Sequence, residues 1–165
     1  MLQTNEKYSV EEQAILAKKA AKQLSLLTTK QKNDALLTIA STLESNTEYI
    51  LKANEVDLKN GKEKGFDEAL MDRLALSAER VKEFANGLRE VAELDDPTGD
   101  ILSSWTLDNG LDVKQVRVPL GVIGMIYEAR PNVTVDATGL ALKSGNAIVL
   151  KGGSSAISSN QAIVD

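Results

Sequence analysis

The chain has 165 residues, the size of one ordinary domain, and 42% of them are hydrophobic, enough for a buried core. Its 19 Lys and Arg against 24 Asp and Glu leave a net charge of -5 spread along helical stretches, with no basic block that would mark nucleic acid as a partner. No apolar run nears the ~20 residues that cross a bilayer, and the opening MLQTNEKYSVEEQ lacks the basic and apolar regions of a signal peptide, so the expectation is a cytoplasmic location without a membrane partner.

From Val10 to Leu24 the apolar residues Val10, Ala14, Ala17, Ala21 and Leu24 recur at spacings of four and three, with charges on other faces. This predicts an amphipathic helix that packs on its own domain or serves as a seam for a partner. Thr28 and Thr29 precede a second helix with a stripe of Leu36, Ile39, Ala40 and Leu43. Ser45 and Asn46 then break or cap the chain before a third helix around Tyr49, Ile50 and Ala53, which Gly61 and Gly65 close. A fourth starts at Ser77, an N-cap with Glu79 in the first turn, and carries Val81, Phe84, Leu88 and Val91. Residues 1–95 are expected to be mostly helical.

At residues 95–100, DDPTGD, Pro and Gly among acidic residues read as a turn or short linker. Beyond it the period becomes two: Ile101, Ser103, Trp105 and Leu107, then Leu111, Val113 and Gln115 across Asn109-Gly110. Asn-Gly there predicts a hairpin with a type I′ turn, and Trp105 is expected to pack under it or to stack on a ligand.

Residues 121–127, GVIGMIY, read as a strand buried on both faces of a parallel sheet. A helix over residues 133–143 follows, with Val133, Ala137, Leu140 and Ala141 on one face and Gly145 as its left-handed stop. Ala147 to Leu150 forms a second strand, and Lys151-Gly152-Gly153-Ser154-Ser155 leads into a further helix. Strand, helix, strand with a short crossover is a βαβ unit, whose ligands bind beyond the carboxyl ends of the strands. The loops at residues 128–132 and 151–155 therefore share one edge.

The second loop has the chemistry of a nucleotide contact: glycines for close backbone approach, hydroxyls and a helix N-terminus for an anion or ribose, and a lysine for charge. It lacks both the P-loop and the G-x-G-x-x-G spacing, so a solvated loop with a Ser cap stands beside that reading. Cys and His both number 0, which removes thiolate nucleophiles, imidazole bases and the commonest metal ligands from this chain.

The runs VPLGVIGMIYEARPNVT at residues 118–134 and ALKSGNAIVLKGG at residues 141–153, with MDRL at residues 71–74 and DDPTG at residues 95–99, resemble the gamma-glutamyl phosphate reductases, or glutamate-5-semialdehyde dehydrogenases. These are a branch of the aldehyde dehydrogenase superfamily. The resemblance implies an α/β fold: N-terminal helices over residues 1–95, a linker and hairpin at 96–118, and from 119 the first βαβ unit of a Rossmann-like cofactor domain, incomplete at residue 165. It implies NADPH-dependent reduction of L-glutamate 5-phosphate to the semialdehyde in proline biosynthesis, through a cysteine thiolate that this chain lacks. The chain alone is thus expected to be inactive. A nucleotide-binding module without catalysis and a helical interaction module are the alternatives.

The resemblance further implies cofactor contacts from Lys151, Ser154 and Ile126. Where the superfamily places Glu after the lysine, this sequence has the neutral Ser154, which favours NADP over NAD. Ala129 falls where the superfamily has the oxyanion Asn, leaving Asn132 as an oxyanion donor or as a cap of the following helix. Arg130 is expected to meet the substrate's phosphate or carboxylate, or to form a structural ion pair. The hairpin at residues 101–118 resembles the superfamily's oligomerisation arm and implies a homo-oligomer.

Overall fold

Capping chemistry sets the helix boundaries in the computed structural model, which describes residues 9–165; the opening residues behind the signal-peptide reading lie largely outside the described residues. In α1 (Val10–Leu24) the Glu12 carboxylate accepts from the Ser9 amide at 2.6 Å while Ser9 Oγ accepts from the Glu12 amide at 3.2 Å. Those bonds hold the Glu12 carboxyl below its usual range. Thr28 and Gln31 repeat the reciprocal cap at α2 (Thr29–Ser45), and Ser77 Oγ accepts from the Arg80 amide at the start of α5 (Ala78–Glu93), as its position predicts. Between them lie α3 (Thr47–Glu63) and α4 (Glu68–Leu74). The short α4, capped by Asp67, went unpredicted because seven residues are too few for a periodic stripe.

Other helix ends are capped from a distance. Arg80 Nη1 donates to the carbonyls of Asp72 and Ala75 at the end of α4, at 2.7 and 2.6 Å. Lys143, only 3% exposed, places its ammonium 2.8 Å from the Ala92 carbonyl in the last turn of α5 and 2.7 Å from Asn33 Oδ1. The linker is clamped likewise. Lys32, 1% exposed, pairs with Asp96 at 2.9 Å, and the Thr29 hydroxyl and Thr98 amide also donate to that carboxylate. Burial pushes the Asp96 carboxyl up, but the bonds from Lys32, Thr98 and Thr29 outweigh it and hold it down at about 2.

The hairpin joins β1 (Ile101–Thr106) and β2 (Asp112–Val116) antiparallel, with Trp105 opposite Val113. Its turn is not type I′. The Gly110 amide donates to the Leu107 carbonyl at 2.8 Å, and among the described residues no non-glycine has positive φ, while Gly110 has φ 85°. A type I turn with a glycine bulge results, because Asn109 Oδ1 accepts from the Leu111 amide and so stabilises a local Asx turn. All of β1 is exposed and the hairpin stands off the core, so Trp105 is not buried beneath it but stays 47% exposed opposite Val113.

Next come β3 (Val122–Ile126), α6 (Asn132–Lys143), β4 (Ala147–Lys151), a 3-10 turn (Ser154–Ala156) and α7 (Ile157–Val164). β3 and β4 pair parallel as the edges of a two-stranded sheet, which makes the βαβ unit the sequence predicts. Gly145 stops α6 with φ 73°, and the amides of Gly145 and Asn146 return to the Leu142 and Ala141 carbonyls. Three expectations change. β3 is not buried on both faces: Val122, Gly124 and Ile126 are exposed, since among the described residues no further strand or helix closes over that side. α6 buries Thr134, Val135, Gly139 and Ala141, with Leu140 turned out and 54% exposed, because α5 and α2 press on Gly139 through Leu88 and Leu36. α1 buries only Ala21 fully and leaves Val10 and Ala14 in solvent, since a helix of 15 residues, ~22 Å long, outruns a sheet about two strands wide.

The main core joins Leu36, Ala40 and Leu43 of α2, Ile50 and Ala53 of α3, and Val81, Ala85, Leu88 and Ala92 of α5 to Val135 of α6 and Ala162 of α7. The helical stretch and the βαβ unit are thus packed as one body, which seats the carboxyl edge of the sheet on a rigid base.

Candidate functional site

Parallel register places partner residues on the same face, so the pairs Gly124–Val149 and Ile126–Lys151 line up toward the carboxyl edge. Ile126 is 83% exposed and Lys151 is exposed beside it, while a Cβ built on Gly124 would meet nothing within 4 Å. An open, partly apolar shelf with a cation at its end results. Ser154 is exposed at the start of the 3-10 turn that follows. The structure thus brings Ile126, Lys151 and Ser154 to one edge.

In the loop after β3, Ala129 and Pro131 are buried and Arg130 between them is exposed. Among the described residues Arg130 forms no ion pair, which removes the structural pairing and leaves its charge available. Asn132 does not cap α6. Pro131, with φ -57°, is the N-cap and makes no side-chain cap bond, so Asn132 is the first helical residue and its side-chain Nδ2 donates to Asp136 Oδ2 at 3.1 Å. The helix starts one residue early because proline already has a helical φ.

The second loop is packed differently from its sequence reading. A Cβ on Gly152 would stand 2.3 Å from Asn160 Nδ2 and 3.2 Å from Tyr127 Oη; one on Gly153 would stand 3.3 Å from the Glu128 backbone. The glycines therefore admit the neighbouring loop rather than a ligand. The Tyr127 amide donates to the Lys151 carbonyl at 3.1 Å, continuing the ladder past β3, and Ala129 and Ala156 share a small buried cluster with Leu74.

Nor is the N-terminus of α7 open to an anion. Asp57 of α3, 1% exposed, accepts from the amides of Ser158 at 3.1 Å and Ser159 at 2.7 Å, and from Ser159 Oγ at 2.7 Å. Asn54 completes the network by donating to Ser159 Oγ and to the Leu74 carbonyl. An internal carboxylate thus occupies the place that an anion would take at the head of α7. Sequence reasoning missed Asp57 and Asn54, along with Tyr127, Thr134 and Asn160. A signal existed: residues 50, 53, 54, 57 and 61 form one helical face, and the buried polar residues interrupt an apolar stripe. Among the described residues no group of acidic, Cys or His side chains could hold a metal ion.

A chain with helices packed on this βαβ unit falls in the broad class of α/β proteins. The aldehyde dehydrogenase family matches residues 2–165, and the chain belongs to that family. It is 66% identical to gamma-glutamyl phosphate reductase 2 of Bacillus licheniformis across 99% of this chain and 39% of that protein. It is 56% identical to gamma-glutamyl phosphate reductase of Anoxybacillus flavithermus, across 89% of this chain and 36% of the relative. The crystal structure of gamma-glutamyl phosphate reductase from Thermotoga maritima superposes with a TM-score of 0.92 at 47% identity, covering 93% of this chain and 37% of that one. The chain therefore spans less than two-fifths, or about that, of the length of the relatives it matches.

Proposed function

We propose that this chain supplies the cofactor-binding front of a cytoplasmic NADPH-dependent reductase that converts L-glutamate 5-phosphate to L-glutamate 5-semialdehyde in proline biosynthesis. The observation that carries the reading is the exposed Ile126–Lys151 pair at the carboxyl edge, in a chain 66% identical to a gamma-glutamyl phosphate reductase. The shelf fits a dinucleotide: Gly124 leaves room, Ile126 offers an apolar floor, and Lys151 with Ser154 offers donors to a ribose hydroxyl. When bound, the cofactor supplies the hydride.

The residues of this chain bind and orient. Lys151 attracts a 2′-phosphate and the neutral Ser154 does not repel it, which selects NADP over NAD. Arg130, charged and without an ion pair among the described residues, stands at the same edge to meet the phosphate or carboxylate of the substrate. Asn132 Nδ2 gives one of its two hydrogens to Asp136 and keeps the other for an oxyanion. With a Cys count of 0, the chain alone is expected to turn over nothing. Residues 1–95 and 119–165 belong to the cofactor domain, and the hairpin, exposed along all of β1, joins copies of the enzyme in a homo-oligomer.

The test uses the enzyme of the relatives' length that carries this chain, followed by NADPH consumption with the acyl phosphate. Turnover with NADPH ahead of NADH is expected, and Lys151→Ala should weaken NADPH and erase the preference. No turnover with the acyl phosphate overturns the substrate assignment. Unchanged affinity and preference in Lys151→Ala overturn the cofactor assignment.

A further inference from the structure

Two loops that meet a ligand from different strands need a fixed spacing, and here a line of side chains sets it. Tyr127 ends the β3 side, Thr134 lies in the first turns of α6, and Asn160 belongs to α7. Asn160 Oδ1 is only an acceptor, so the Thr134 hydroxyl donates to it at 3.1 Å, and the Tyr127 hydroxyl must then donate to Thr134 Oγ1 at 2.6 Å. The order of donation is forced. Thr134 is 2% exposed, which shields the middle of the relay from competing water. Gly152 is seated directly against both ends of it, with Asn160 Nδ2 and Tyr127 Oη nearest to the space where a side chain would go.

We infer that Tyr127, Thr134 and Asn160 are positioning residues for the cofactor: their hydroxyl relay presses the Gly152 loop against the loop after β3 and so holds Lys151 and Ser154 in place for the dinucleotide. The inference rests on the cofactor assignment proposed above. None of the three touches the shelf through a charged group, so the relay acts on how often the binding-competent loop arrangement is populated. Apparent affinity falls by that fraction when the relay is cut. The catalytic rate of the fully bound enzyme does not.

The test compares Thr134→Val, which removes both bonds, with Thr134→Ser, which keeps the hydroxyl, and with Tyr127→Phe, in the enzyme of the relatives' length. Thr134→Val is expected to raise the KM for NADPH about tenfold, the effect of roughly one hydrogen bond, with kcat within about twofold. Thr134→Ser should restore the wild-type KM, and Tyr127→Phe combined with Thr134→Val should add little to Thr134→Val alone. A merely structural role lowers the amount of active enzyme and leaves KM unmoved, so a fall in kcat at constant KM overturns the inference. Should the enzyme fail to reduce the acyl phosphate, only the substrate reading falls: NADPH fluorescence titration then reads the same tenfold difference. An NADPH affinity equal in wild type and Thr134→Val overturns the relay, whereas no NADPH binding by either protein overturns the cofactor assignment and the inference with it.

Discussion

Replacing Asp96 by Asn removes the carboxylate 2.9 Å from the Lys32 ammonium, in a pair where Lys32 is 1% and Asp96 10% exposed. The lowering of the Asp96 carboxyl from 3.8 to about 2 corresponds, at ~1.4 kcal/mol per pH unit, to about 2 kcal/mol of stabilisation at neutral pH. The variant also strands a buried ammonium with Thr98 Oγ1 and a neutral amide, which brings the expected loss to about 3 to 4 kcal/mol. Because the folded-state carboxyl is held below its unfolded value of 3.8, the wild-type advantage is complete above that value and is lost as the pH falls through about 2. Urea unfolding of both proteins across a pH series measures the difference directly. Glu12, Glu44 and Glu79 are also held low, but they titrate in both proteins and cancel in the difference. A loss below about 1 kcal/mol at neutral pH, or a difference that stays constant down to about pH 2, would refute the argument.

Asp57→Ala strips the Ser158 and Ser159 amides of their acceptor inside the fold, so a loss of about 3 kcal/mol is expected, with faster hydrogen exchange at the start of α7. Leu36→Ala opens a cavity at a side chain that is 0% exposed, and chemical unfolding should show a loss of about 3 kcal/mol. Gly152→Ala drives a methyl to 2.3 Å from Asn160 Nδ2 and should lower the melting temperature through about 1 to 3 kcal/mol of overpacking. Gly124→Ala, which meets nothing within 4 Å, should leave the melting temperature within a degree or two yet weaken NADPH binding.

The helix starts were legible because capping is a local bargain between a side chain and amides two or three residues on. Ser77 at the head of α5 and Gly145 at the end of α6 stand where their chemistry puts them. The hairpin's existence was legible for the same reason, though its turn type was not: the side chain of Asn109 engages its own backbone and leaves the positive φ to Gly110. The face that α6 buries was legible only in part: Ala141 is buried as expected, but Leu140 is turned out, since Gly139 looks like a gap in an apolar stripe although Leu88 fills it.

Chain order alone placed the loops at residues 128–132 and 151–155, with Lys151 and Ser154, at one edge, because residues that follow parallel strands emerge at the same end of a sheet. The reason for Gly152 and Gly153 was beyond the sequence, as it lies in Tyr127, Glu128 and Asn160 across the fold. The same holds for the carboxylate at the head of α7, which comes from Asp57, 101 residues before Ser158. Local propensity and periodicity act over a few residues and so declared most of the elements and the shared edge, while the family resemblance rested on the matching runs at residues 118–134 and 141–153. Which amides remain free for a ligand, and which glycines serve packing, depended on contacts between distant segments that only the folded chain brings within reach of one another.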